Sequence, residues 1–255
     1  MTHAAKGKTV FVTGGARGIG LGIVKALAAD GYNISFTYRS SGDEAARVRD
    51  ELQANYPEQT IDCHEVDMSD RGQVDTFAGQ IAETEGLYGL AYNAGGSYDT
   101  LAALVDQDRA EALFQLNFWA LTRLAGAAAR PLMRARAGRI IAIGSITAQM
   151  GVSGNSIYAA SKGAMLSYIR TLAIEIARKG VTANYVSPGY VDTDLMAPYA
   201  SYREKVEQQI PLRRFAQPEE VGALVSYLFS PLAGYITGAV IPIDGGTSAG
   251  LSIQV

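Results

Sequence analysis

Cysteine occurs once in the 255 residues, tryptophan once and histidine twice. A single cysteine excludes an internal disulfide, which fits a reducing compartment. That residue, Cys63, lies in "IDCHEVD", which reads as a strand, so a buried structural thiol is expected there and not a nucleophile. His3 and His64 have no companions at metal-ligand spacing, so no metal site is expected. No apolar run approaches the roughly 20 residues that span a bilayer. The opening "MTHAAKGKTVFVTGG" enters a strand directly and lacks the apolar core and cleavage site of a signal peptide. A net charge of −3 and a pI near 5.5 leave no basic footprint for nucleic acid. The expectation is a soluble cytoplasmic protein with neither nucleic acid nor membrane as partner.

What is present is an alternation of short apolar runs with longer helical patterns. "KTVFVTG" reads as a strand; Ile19, Ile23 and Leu27 then make a helix face that stops at Gly31. "NISFTYR" is a second strand, "DEAARVRDELQANY" a helix ending before Pro57, "TIDCHEVD" a third strand and Asp70 to Glu85 a helix. "YGLAYNAGG" follows as the fourth strand, with a helical region from Arg109 to Arg136 interrupted at Pro131. "GRIIAIGS", a helix containing "YAASK", "VTANYVSPG", "EEVGALVSYLFS" and "GAVIPIDGG" complete the series. Such alternation predicts an α/β, doubly wound Rossmann-type fold: one domain over residues 1–255, with a seven-stranded, mainly parallel sheet covered by helices on both faces. The irregular stretch "GYVDTDLMAPYASYREKV" suggests a substrate lid at about 190–215.

"TGGARGIG", Thr13 to Gly20, stands between the first strand and the first helix, with Gly14, Gly18 and Gly20 spaced G-x-x-x-G-x-G. A helix start offers free N–H groups and a positive dipole end, which suit a pyrophosphate. Glycine lets the backbone approach that ligand closely. Enzymes that take NAD place an acidic residue roughly 20 positions on, against the ribose 2′-OH. Here the residues at that distance are Tyr38, Arg39 and Ser40. A guanidinium at Arg39, with Arg17 in the loop, would pair with a 2′-phosphate, which predicts NADP(H). A solvated loop cation is the alternative for Arg39.

Tyr158 and Lys162 stand at i and i+4 and share one helix face. Ser145 ends the fifth strand, at the sheet edge where open α/β folds hold ligands. Free tyrosine titrates near ~10; a neighbouring ammonium should lower that value. Ser145 could then bond a carbonyl oxygen while Tyr158 delivers a proton. The pattern Y-x-x-x-K is short and recurs by chance in helices. Its weight comes from sharing a sheet edge with the glycine loop.

Together these motifs resemble the short-chain dehydrogenase/reductase family over nearly the whole chain. The further matches are "NAGG" at Asn93 to Gly96, "LN" at Leu116–Asn117, "SPGYVDT" at Ser187 to Thr193 and "IDGG" at Ile243 to Gly246. The resemblance implies a catalytic set of Asn117, Ser145, Tyr158 and Lys162. Tyr158 would be the acid, Lys162 would hold the nicotinamide ribose, Ser145 would orient the substrate oxygen and Asn117 would anchor a relay water. It also implies cofactor contacts from Gly14, Arg17, Gly18, Ile19, Gly20, Tyr38, Arg39, Ser40, Asp67, Met68, Asn93, Ala94, Gly95, Pro188, Gly189, Val191 and Thr193. Homotetramers are the family's usual assembly. The four-residue Tyr–Lys spacing is that of carbonyl reductases; enoyl reductases space the pair more widely.

Within the family the chain looks most like 3-oxoacyl-[acyl-carrier-protein] reductases and discrete polyketide ketoreductases. That implies NADPH-dependent reduction of a 3-oxoacyl thioester on an acyl carrier protein. Arg130, Arg134, Arg136 and Arg139 form a basic cluster; Arg136 and Lys179 match positions of carrier-docking cations, which should lie near the pocket mouth. A helix end complementing its dipole is the rival explanation for the cluster. Tyr98, Met150, Tyr190, Met196 and Tyr199 are pocket-lining candidates. Two other functions stay open: a reductase of free small-molecule ketones, and a non-enzymatic dinucleotide-binding sensor.

Overall fold

The computed structural model describes residues 5–194, 196 and 201–250. Seven strands form one sheet: β1 (Thr9–Val12), β2 (Asn33–Tyr38), β3 (Ile61–Glu65), β4 (Leu87–Tyr92), β5 (Gly138–Ile143), β6 (Val181–Pro188) and β7 (Val240–Ile243). Their order is β3-β2-β1-β4-β5-β6-β7, and every neighbouring pair is parallel, so the sheet is wholly and not mainly parallel. The direction of winding reverses between β1 and β4, which opens a crevice at the carboxyl ends of those strands.

Strand alternation divides the core in two. On β4 and β5, Leu90, Tyr92, Ile140 and Ala142 face one side, while Tyr88, Ala91, Ile141 and Ile143 face the other. The first side is covered by α3 (Arg71–Glu83), α5 (Ala120–Ala135) and α6 (Ser156–Ala177). The second is covered by α1 (Gly18–Ala29), α2 (Gly42–Asn55) and α8 (Pro218–Phe229). The small residues of "FWALTRLAGAAA" are spent inside the chain: Ala120, Ala125, Ala128 and Ala129 are buried, packed with α3 and the sheet.

Three features differ from the sequence reading. Pro131 does not interrupt its helix, because α5 continues through it to Ala135. The irregularity comes earlier, where a π-turn at Gln115–Trp119 joins α4 (Gln107–Phe114) to α5 without ending the helix. Within the stretch expected to form a lid, α7 (Arg203–Gln209) is a helix that its polar sequence, "REKVEQQ", did not announce. Cys63 is only half-buried in β3, the outermost strand; burial raises its thiol pKa, which keeps it a poor nucleophile. Among the described residues no helix is long and apolar enough to cross a membrane.

Candidate active site

The glycine loop follows directly from β1. Gly14 and Gly18 have φ of +65° and +53°, the left-handed region that glycine adopts without penalty. Arg17 is the N-cap of α1 and makes no side-chain cap, and the first turn holds no acidic residue. By contrast, Asp70 and Asp106 cap α3 and α4 with their own carboxylates. The first turn of α1 therefore carries no carboxylate or side-chain cap of its own, an arrangement suited to a phosphate.

Asn93, just past β4, pins the loop: its Nδ2 donates to the carbonyls of Thr13 at 3.1 Å and Gly14 at 3.0 Å. Thr13 Oγ1 accepts in return from the amides of Asn93 and Ala94, both at 2.9 Å. Thr37 Oγ1, at the end of β2, accepts from Gly14 N at 3.1 Å. These bonds tie three strand ends together beneath the crevice.

A cleft of about 500 Å³ lies above them. Of the residues expected at a cofactor, Gly14, Arg17, Gly18, Ile19, Tyr38, Arg39, Ser40, Asp67, Met68, Asn93, Ala94, Gly95, Tyr158, Lys162 and Thr193 line it. Gly20, Pro188, Gly189 and Val191 do not. Gly20 is buried beneath the loop, and Val191 is buried and bridged to Ala216. Sequence reasoning missed Thr37, Ser41, Gly144, Ile143 and Asp194 on the wall. Ser41 and Thr37 flank "YRS", so a wider window at the end of β2 would have found them. The donor set fits a dinucleotide: free helix amides and a glycine turn for phosphates, Arg17 and Arg39 at one end, Tyr158 and Lys162 at the other.

Lys162 is 4% exposed, and its Nζ donates to Ile143 O at 3.0 Å. Burial lowers its pKa from 10.5 to about 8. Tyr158 is half-buried beside the cleft. Its pKa moves opposite to expectation: burial raises it, the bond with the Ser145 hydroxyl opposes the rise, and the Asp99 carboxylate adds to it. The Lys162 ammonium is 5.7 Å from the Tyr158 ring centre and bonded elsewhere, which explains why desolvation outweighs its field. Ser145 Oγ accepts from Thr147 N at 3.2 Å and from Thr147 Oγ1 at 2.9 Å, so its own proton is left to point at Tyr158 or a substrate oxygen.

Asn117 sits in the π-turn with no exposed surface. Its Oδ1 accepts from Gly96 N at 3.0 Å; its Nδ2 donates to Gly96 O at 3.1 Å and Ser161 Oγ at 2.9 Å. The side-chain partners of this amide are all protein groups. This amide ties α5 to the strand-four exit and to α6.

The buried ammonium makes a testable cost. A lysine depressed in the folded state is destabilising below its folded value, and that cost fades as pH rises from about 8 to the unfolded value of 10.5. Allowing for the lost bond to Ile143, Lys162→Met should stabilise the chain by about 2 kcal/mol at pH 7. Thermal unfolding at pH 7 and at pH 10 checks this. The gain must shrink at the higher pH; an equal gain at both would refute the burial argument.

The other expected pocket residues separate. Tyr98 is packing: its hydroxyl accepts from Asp106 N at 2.9 Å and the Arg109 guanidinium lies over its ring. Tyr190 stacks on Phe215, and Met150 and Met196 are half-buried. Tyr199 lies outside the described residues. Arg139 leaves the basic cluster altogether. It is 6% exposed, points under the sheet, and donates to the carbonyls of Gly138 and Ser230. Arg136 and Lys179 are exposed, but each precedes a parallel strand whose far end bears the site. They lie at the opposite end of the sheet from Ser145, about 20 Å away at ~3.3 Å per residue of β5, and not near the cleft mouth. Among the described residues no group of three His, Cys, Asp or Glu could hold a metal ion.

Comparison with known proteins agrees with this geometry. The family described as Enoyl-(Acyl carrier protein) reductase matches residues 14–248. The 3-oxoacyl-[acyl-carrier-protein] reductase MabA of Mycobacterium tuberculosis is 36% identical over 248 residues, covering 95% of this chain and 94% of that one. The cyclic-di-GMP-binding biofilm dispersal mediator protein of Escherichia coli is 36% identical over 247 residues, covering 96% and 99%. Among solved structures, YwfH, an NADPH-dependent reductase involved in bacilysin biosynthesis, superposes with a TM-score of 0.91 at 25% identity, covering 97% of this chain and 100% of that one.

Proposed function

The chain belongs to the short-chain dehydrogenase/reductase family, and from that premise we propose that it reduces a 3-oxoacyl thioester, carried on an acyl carrier protein, to the 3-hydroxyacyl form with NADPH. The observation that carries the reading is the convergence of Tyr158 and Lys162 on the cleft that holds the glycine loop, with the Ser145 hydroxyl close enough to Tyr158 to act on its phenol. NADPH, when bound, supplies the hydride. The loop amides and Gly14, Gly18 and Ile19 would hold its pyrophosphate, Arg17, Arg39 and Ser40 its 2′-phosphate, and Lys162 its nicotinamide ribose. Ser145 donates a hydrogen bond to the substrate oxygen, and Tyr158 gives that oxygen its phenolic proton. A phenol kept protonated by burial suits the reductive direction.

Although the matching family is described by its enoyl reductases, the four-residue Tyr158–Lys162 spacing favours carbonyl chemistry. Similarity to MabA supports the thioester and the carrier. Arg136 and Lys179 remain the proposed carrier contacts, and from their end of the sheet they would need the carrier's long arm to reach a cleft. A homotetramer and a cytoplasmic location are part of the same proposal.

The deciding assay is NADPH oxidation with an acetoacetyl group on an acyl carrier protein and on a small thioester mimic, alongside NADPH and NADH titrations. Preference for the carrier-bound substrate, and tighter NADPH binding, are expected. Equal rates would move the function to free ketones, and NADH binding as tight as NADPH would remove the role given to Arg39. The Escherichia coli relative supports a second reading, a cyclic-dinucleotide sensor using the same cleft. Cyclic di-GMP that displaces bound NADPH, together with no turnover of any ketone, would favour that reading.

A further inference from the structure

We propose that Tyr185 is a positioning residue that locks Ser145 and Lys162 to each other. The inference rests on the ketoreductase reading above and adds a residue to its machinery. Tyr185 lies in β6, opposite Ala142 of β5, with no exposed surface. Its ring turns towards α6 and fills the space beside Gly144. A Cβ on Gly144 would stand 1.7 Å from Tyr185 Cζ and 1.9 Å from its Oη. Glycine at 144 is therefore what admits the tyrosine, and the two residues are a matched pair.

The phenol oxygen accepts from Ser145 N at 2.9 Å. Its one proton is shared between Ser145 O and Lys162 O, each 3.3 Å away. Sheet pairing ends one residue earlier, with Gly144 N donating to Val186 O at 2.8 Å. Ser145 has thus left the ladder, and the tyrosine hydroxyl takes over its amide. One side chain bonds both main-chain groups of Ser145 and the carbonyl of Lys162, 40 and 23 residues away in sequence. Burial keeps the phenol protonated, so it serves as donor and acceptor together and cannot compete with Tyr158 as acid. The relay needs the serine hydroxyl and the lysine ammonium held against one bound substrate, and misplacement by about 1 Å can cost ~10²-fold in rate.

Tyr185→Phe keeps the ring and deletes only the hydroxyl. Tyr32→Phe is the control: Tyr32 is equally buried, bonds Phe229 O at 3.1 Å, and lies near the opposite end of the sheet. Three quantities are read in both: thermal midpoint, NADPH affinity, and single-turnover reduction of whichever ketone the wild type accepts. Backbone hydrogen exchange across residues 144–146 is followed in parallel. In Tyr185→Phe the single-turnover rate should fall about 10- to 100-fold, with NADPH affinity within about twofold. Exchange at Ser145 should quicken at least about tenfold. Tyr32→Phe should lose comparable thermal stability with an unchanged rate. A wild-type rate in Tyr185→Phe, or an equal rate loss in both variants, would overturn the proposal. The exchange arm needs no substrate: if the wild type reduces no ketone, the function proposed above fails, while unchanged protection at Ser145 independently removes the clamp.

Discussion

Tyr158→Phe should lower the single-turnover rate of carbonyl reduction by about 10²- to 10⁴-fold, the range a positioned general acid supplies. The variant keeps the ring beside the cleft and removes only the phenolic proton and the partner of the Ser145 hydroxyl. NADPH affinity should change by less than about threefold, because the end of the cleft proposed to hold the phosphates is lined by the glycine loop, Arg17 and Arg39, away from Tyr158. Stability should shift little: Tyr158 is half-buried and its hydroxyl serves one hydrogen bond, worth about 1 kcal/mol. Stopped-flow absorbance of NADPH with a saturating ketone separates the outcomes. A loss under about fivefold would mean that another group delivers the proton, with Ser145 the first to test.

The second large effect is expected at Gly20. Alanine in the first turn of a helix would ordinarily stabilise by up to about 1 kcal/mol over glycine. Here the new Cβ would stand 1.9 Å from Gly14 O and 2.7 Å from Asn93 Nδ2. Both atoms belong to the clasp that shapes the loop, since Asn93 Nδ2 donates to Gly14 O. Overpacking of this kind costs about 1–3 kcal/mol and outweighs the propensity gain. Gly20→Ala should therefore bind NADPH at least about 100-fold more weakly, as its loop amides are pushed off target, and should unfold at a lower temperature. Normal nucleotide fluorescence titration with a raised thermal midpoint would show that the loop yields freely and that the close approach has no functional weight.

What was legible in the sequence was whatever local pattern dictates. Apolar runs such as "GRIIAI" and "YGLAY" gave the strands, because a parallel sheet covered on both faces buries every residue in turn. The glycine loop and the Tyr158–Lys162 spacing were readable because backbone freedom and helix periodicity are local properties. Pro131 misled because ring closure removes one helix bond, yet a helix packed along its length tolerates that loss. Helix α7 was hidden because "REKVEQQ" has no apolar stripe; it is held by Arg203, whose guanidinium makes a two-pronged pair with Asp192 at 2.8 Å. Arg139 could have been placed correctly, since a charged residue inside a strand buried on both faces has nowhere to go but inward. Tyr185 and Thr147 carried no signal at all: their importance comes from which backbone atoms lie beside them after folding. The Tyr158 shift had the wrong sign because sequence spacing shows the lysine but not the loss of water around the phenol.

The two outermost strands have a consequence for how this chain keeps to itself. A parallel sheet exposes unpaired amides and carbonyls along each border, and a neighbouring chain can add a strand there. Border strand β3 carries Asp62 and Glu65, both exposed, within five residues. Border strand β7 contains Pro242, which has no N–H to offer. Charge guards one border and a missing donor guards the other, while β4, β5 and β6, buried at every position, lie inside the sheet. Growth of the sheet into an aggregate by strand addition is thus opposed from both sides.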